Sequence, residues 1–152
     1  MLHEGSVPKK LLALLKKQEN LFELVEPMYQ NNQISYLGKK DIAAMKLHAI
    51  ETSGDRAKDF VDIYFLLKEI SLEEMFECYR KKYSTDNIFN AKRSLGFFED
   101  VPEESWNELH FIDQKVEASA IKSVIINAIN DFNRKNMYCF CAFRAGYYKA
   151  DH

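Results

Sequence analysis

The chain has 152 residues, 47% hydrophobic, 13% aromatic and 29% charged, a globular composition that excludes a disordered or collagen-like polymer. Its formal net charge of -2 supplies no global basic field for nucleic acid or an acidic membrane surface. No apolar run approaches the roughly 20 residues that a membrane span requires.

With only 5 glycines and 3 prolines the chain leans towards helix. Cys78, Cys139 and Cys141 form neither a disulfide framework nor a zinc spacing, and His3, His48, His110 and His152 are scattered, so no metal site is expected. Residues 1–17 have no continuous apolar stretch of the kind a cleaved signal needs, which makes a reduced, cytoplasmic protein the expectation.

In chain order, Pro8 opens a short amphipathic helix over 8–18, with Leu11, Leu12, Leu14 and Leu15 set between lysine pairs. Phe22 to Val25 and Ile34 to Leu37 are β-like pieces around the turn Gln30-Asn31-Asn32-Gln33. Gly38 suits an N-cap, and Asp41 complements the helix dipole at the start of a helix over 39–52. Ile42, Met45, Ala49 and Ile50 mark one face of it, with Lys46 at the edge. Ser53-Gly54-Asp55 breaks that helix. The next, over 56–69, is apolar almost all round and should be the most buried element.

Ser71 and Glu74 form a capping-box start for a helix over 72–83. A helix over 86–97 carries Ile88, Phe89, Leu95 and Phe97. Residues 99–110 read as an acidic loop containing Pro102 and anchored by Trp106. A long helix over 112–134 repeats Val116, Ala120, Val124, Ile125, Ala128 and Ile129, and the stretch after it, 137–152, reads as an irregular tail. The clusters Lys9-Lys10, Lys16-Lys17 and Arg80-Lys81-Lys82 read as solvated helix faces. The fold class is therefore mainly α: five or six helices with a small β-hairpin or edge strands near the N-terminus.

One stretch departs from this pattern. In Asp41 to Leu67, Lys46, Lys58, Asp59 and Asp62 stand among core residues, where an unpaired charge costs several kcal/mol. Asp59 and Asp62 share a helix face, and a short hinge brings Lys46 within their reach. A structural Lys46–Asp62 pair, with Asp59 at the solvent edge, is one explanation. The other is a lysine that binds a polyphosphate beside a carboxylate that accepts the proton of an attacking hydroxyl, with Arg56 and Lys58 adding positive charge at the helix start.

DIAAMKLHAI, a glycine-containing break and KDFVDIYFLL together resemble the C-terminal half of the AbiEii/AbiGii-type nucleotidyltransferase toxins. The lead-in LVEPMYQNNQISYLGKKD and the downstream KKYSTDNIFNAKRSLGFFEDVPEESW are similar to the same family, so the likeness covers about residues 22–134. It implies a polymerase-β-like nucleotidyltransferase lineage, usually the toxin of a bacterial toxin–antitoxin or phage-defence pair. Lys46 would then contact a nucleoside triphosphate, with Arg56 and Lys58 as further nucleotide contacts, and Asp59 or Asp62 would assist catalysis. RNA is the acceptor proposed for some members.

The family's Gly-Ser signature is followed by an Asp-x-Asp pair that holds magnesium. This chain has Gly5-Ser6 but no Asp-x-Asp, Ser53 stands where relatives carry arginine, and its final YCFCAFRAGYYKADH is unlike a family ending. The expectation is a truncated homologue, inactive alone, with 1–21 as an atypical N-terminal helix and 22–136 as the family-like helical domain. Its alternatives are the complementing half of a split enzyme and a non-catalytic helical module that binds an antitoxin. Homo-oligomers are also expected, because strands that lose sheet neighbours present an edge.

Overall fold

The structure, a computed structural model, describes residues 23–111 and 115–146. The helix expected within 1–21 lies outside them. Among the described residues, six helices and one two-stranded sheet form a mainly α fold, as expected.

Strands β1 (Tyr29–Asn31) and β2 (Ile34–Tyr36) pair antiparallel, with Tyr29 opposite Tyr36 and Asn31 opposite Ile34. Asn32 and Gln33 form the connection with φ of 45° and 71°, the two positive values of a tight hairpin turn. That two-residue turn requires the strands to flank it directly. The first strand is therefore at 29–31 and not at the expected Phe22 to Val25, whose described part, 23–25, is outside any strand.

Helix α1 (Lys39–Thr52) starts after Gly38, as its sequence suggests. Its buried face is Ala43, Ala44, Leu47 and Ile50, whereas Met45 is exposed. Of the expected Ile42/Met45/Ala49/Ile50 face only Ile50 is fully buried, so the face is rotated: small alanines let neighbouring helices approach closely, and Met45 is displaced outward. Gly54 closes the turn after α1 at φ +64°, and a Cβ there would lie 2.9 Å from the Ile50 carbonyl oxygen. Gly54→Ala is expected to destabilise the fold by about 1–2 kcal/mol, read from the urea unfolding midpoint.

Helix α2 (Ala57–Leu66) buries Ala57, Asp59, Phe60, Val61 and Ile63 but leaves Phe65 exposed, and α1 rather than α2 is the helix around which the others gather. Helix α3 (Leu72–Tyr83) begins with the Ser71 hydroxyl accepting the Glu74 N–H at 3.2 Å. Helix α4 (Phe89–Leu95) is shorter than the expected 86–97, because the Asn87 side chain caps the Phe89 N–H at 2.9 Å. It buries Ala91 and Leu95 and leaves Phe89 and Phe97 exposed.

The acidic stretch contains a short helix, α5 (Glu103–Asn107). Trp106 anchors it against Phe60, with ring centroids 6.1 Å apart, and the Ser105 hydroxyl accepts the Ala57 N–H at 3.0 Å, capping α2 from 48 residues away.

Helix α6 (Ala118–Gly146) begins later than expected, once the Glu117 carbonyl accepts the Ala120 and Ile121 N–H groups. It also runs through ten residues of the expected irregular tail. No Gly or Pro interrupts 118–145, so the backbone continues even though the apolar periodicity fades. Ile121 and Ile125 are its buried contacts, joined by Ala128, Ile129 and Phe132. Helix α1 packs against α2, α3 and α4, while α6 covers α2 and α3.

Candidate functional site

Lys46 projects from α1 towards α2 and is shared between two carboxylates. Its Nζ lies 2.7 Å from Asp59 Oδ1 and 2.6 Å from Asp62 Oδ2. Arg56 Nη2 lies 3.1 Å from the other oxygen of Asp59. Four of the five sequence candidates thus form one connected cluster, held by the packing of α1 on α2 across the Ser53–Arg56 hinge.

The two carboxylates differ in setting. The Asp59 side chain is 4% exposed and that of Asp62 is 45% exposed, so the edge residue is Asp62, the reverse of the structural expectation. The cause is position: Asp59 is in the first turn of α2, under Arg56 and Lys46, whereas Asp62 is one turn further round, towards solvent. Burial pulls the Lys46 pKa down, but the hydrogen bonds and charges of Asp59 and Asp62 outweigh it and hold the ammonium above its ordinary value. Lys46 is a firm cation at neutral pH.

Lys58, the fifth candidate, stands apart from the cluster. It is exposed and lines a groove of about 700 Å³ with Asp62, Phe65, Lys68, His110 and Lys115. The first N–H of α2 is occupied by Ser105, so the helix start is less open to an anion than the sequence alone suggests.

Asp59 is spanned by two cations and Asp62 by one. Among the described residues no group of three or more His, Cys, Asp or Glu side chains is placed to hold a metal ion. Magnesium does not fit this donor set. The cluster can fix a cation in place and offer one accessible carboxylate beside it.

A second ion pair escaped the sequence reading. Lys82 Nζ lies 2.7 Å from Asp41 Oδ1 and 3.1 Å from the Glu23 carbonyl oxygen. Both side chains are buried, at 2% and 0% exposure, so the basic cluster at 80–82 is not wholly a solvated face. Asp41 also accepts the Val25 and Glu26 N–H groups at 3.0 and 3.2 Å. Burial alone would raise the Asp41 pKa, but Lys82 and the two backbone donors outweigh it and hold the carboxyl below its usual range. The residues could be spotted in sequence only as Asp41 and Lys82 separately, since 41 positions divide them.

The family model for "Nucleotidyl transferase AbiEii toxin, Type IV TA system" matches residues 17–125. The chain belongs to the AbiEii family. The AbiEii match contains the whole Lys46–Arg56–Asp59–Asp62 cluster and ends within α6, short of the expected 134. An uncharacterised protein of Aquifex aeolicus (strain VF5) is 34% identical over 103 residues, covering 65% of this chain and 50% of that protein. The AbiEii chain thus spans about half the length of this curated relative. No solved structure matches it. No helix among the described residues is long and apolar enough to cross a membrane.

Proposed function

We propose that the chain supplies the lysine–aspartate part of a nucleotidyl-transfer site. The observation that carries this reading is the shared Lys46 ammonium, bracketed by a buried Asp59 and an accessible Asp62. Asp59, itself tied to Arg56, acts as a positioning residue that fixes the direction of Lys46. Asp62 can swing away into the groove when a triphosphate oxygen takes its place on Lys46, and its freed carboxylate then accepts the proton of an attacking hydroxyl. Arg56 and Lys58 are secondary phosphate contacts. Nucleoside triphosphate and magnesium are the small-molecule partners of the complete reaction, and RNA is its acceptor.

The chain contains no Asp-x-Asp pair, so the metal-binding carboxylates of the complete site have to come from outside these 152 residues. The chain alone is inactive in this reading, whether it is a truncated homologue or a complementing half. The Type IV toxin–antitoxin description of the family supports an antitoxin as its functional counterpart.

The test is incorporation of labelled nucleoside triphosphates into total RNA with magnesium. The chain alone is expected to give no signal above its Lys46→Met variant. Adding a family polypeptide that carries Gly-Ser and Asp-x-Asp is expected to restore incorporation with the wild-type chain only. Lys46-dependent incorporation by the chain alone sinks the inactive reading, and incorporation in the mixture that survives Lys46→Met sinks the lysine–aspartate site.

A non-catalytic binding module is the second reading. It draws on the hairpin, where Met28, Tyr29, Ile34 and Tyr36 are all exposed and every residue of both strands faces solvent. A two-stranded ribbon of this kind is marginal by itself and gains from a partner or a second copy.

A further inference from the structure

We propose that the groove between α2 and residues 109–111 and 115–120 is a binding site for single-stranded nucleic acid. Its floor is one stripe of α2 and the turn after it: Lys58, Asp62, Phe65 and Lys68 follow one another at helical spacing over about 15 Å. Phe111 and Lys115 belong to its opposite wall.

Cations and aromatic rings lie side by side in this groove, whose lining also includes the Asp62 and Glu117 carboxylates. The Lys68 ammonium lies 4.8 and 4.7 Å from the ring centroids of Tyr64 and Phe65, and those two rings meet edge to face at 5.1 Å. Phe65 is 41% exposed, so part of its ring is open to a stacking base in the groove. Among the described residues no ion pair involves Lys58 or Lys68, while Lys115 has only a loose 3.9 Å contact with Glu117. The Lys68 and Lys115 ammonium groups can therefore meet backbone phosphates while Phe65 and its neighbours meet bases, the combination by which proteins hold unpaired strands. A duplex buries its base faces and cannot use the rings.

The groove opens on Asp62, so a strand lying in it brings a terminal hydroxyl to the carboxylate beside Lys46. The assignment of that strand as acceptor rests on the nucleotidyl-transfer reading; the binding itself does not.

The measurement is fluorescence anisotropy of the full 152-residue chain with a short fluorescein-labelled single-stranded RNA at low salt, with circular dichroism of each variant as the folding control. Saturable binding is expected, weakened by added salt. Lys68→Glu combined with Lys115→Glu is expected to weaken it by about tenfold or more, and Phe65→Ala by about fivefold or more. Lys81→Glu on the far helix α3 is expected to bind like wild type. Absence of saturable binding, equal affinity for a duplex, or equal loss with Lys81→Glu overturns the proposal. Loss of RNA binding in Lys68→Glu/Lys115→Glu that leaves Lys46-dependent incorporation in the complemented assay intact overturns the assignment of the bound strand as acceptor and spares the catalytic reading.

Discussion

Asp41→Ala is expected to lower folding stability by about 3–5 kcal/mol, the largest effect expected of a single polar substitution among the described residues. The reason is what stays behind. Lys82, 2% exposed, would be left with only the Glu23 carbonyl, and the Val25 and Glu26 N–H groups would lose their acceptor. A buried charge without its counter-charge costs far more than an ordinary surface pair, which contributes about 0–1 kcal/mol. The double variant Asp41→Leu/Lys82→Met is expected to recover much of the loss, because it removes both charges together.

The pH dependence of this pair has a definite sign. Asp41 has a folded pKa below its ordinary value of 3.8, so its contribution is complete above that value and is lost as pH falls through the lower folded pKa. The stability gap between wild type and Asp41→Ala should therefore be constant near neutrality and close only in strong acid. Urea unfolding of the three proteins across pH checks both points. A cost under about 1 kcal/mol for Asp41→Ala, or a double variant no better than the single, contradicts this account.

Lys46→Met is the second large expected effect. It leaves Asp59 buried with Arg56 as its remaining counter-ion and places two carboxylates on one helix face without the ammonium between them. A loss of about 1–3 kcal/mol is expected, less than for Asp41 because Asp62 reaches water and Arg56 stays. The folded pKa of Lys46 is raised above its ordinary 10.5, so its contribution is fully present below that value and disappears as pH rises through the higher folded value. The gap between wild type and Lys46→Met is thus complete at neutral pH and shrinks only in strong alkali. Asp62→Asn separates structure from chemistry: its stability cost should stay under about 1 kcal/mol, while it removes the accessible carboxylate that the proposed reaction needs.

Local chemistry was readable in the sequence wherever it is written by neighbouring residues. Ser71 with Glu74 fixed the start of α3, and Gly38 and Ser53-Gly54 bracketed α1, because caps and breaks act within one turn. The odd charges at Lys46, Asp59 and Asp62 signalled a paired cluster for the same reason: a short hinge leaves them few other places to go.

What the sequence concealed depends on distant chain. Asp41 and Lys82 are ordinary helix-end charges until α1 packs on α3. Which of Asp59 and Asp62 is buried is decided by the rotation of α2 against its neighbours, and Met45 lost its place in the core to Ala43 and Ala44 through the same packing. The extra length of α6 was hidden because apolar periodicity ends before the helix does.

The central claim is that Lys46, set by Asp59 and shared with Asp62, is a nucleotide-binding centre. The most direct test is an ATP titration of the isotope-labelled chain followed by NMR, with Lys46→Met alongside. Resonance shifts confined to Lys46 and residues 56–62, saturating with ATP and absent from the variant, are the predicted result. Shifts that leave this cluster untouched, or that persist unchanged in Lys46→Met, would contradict it.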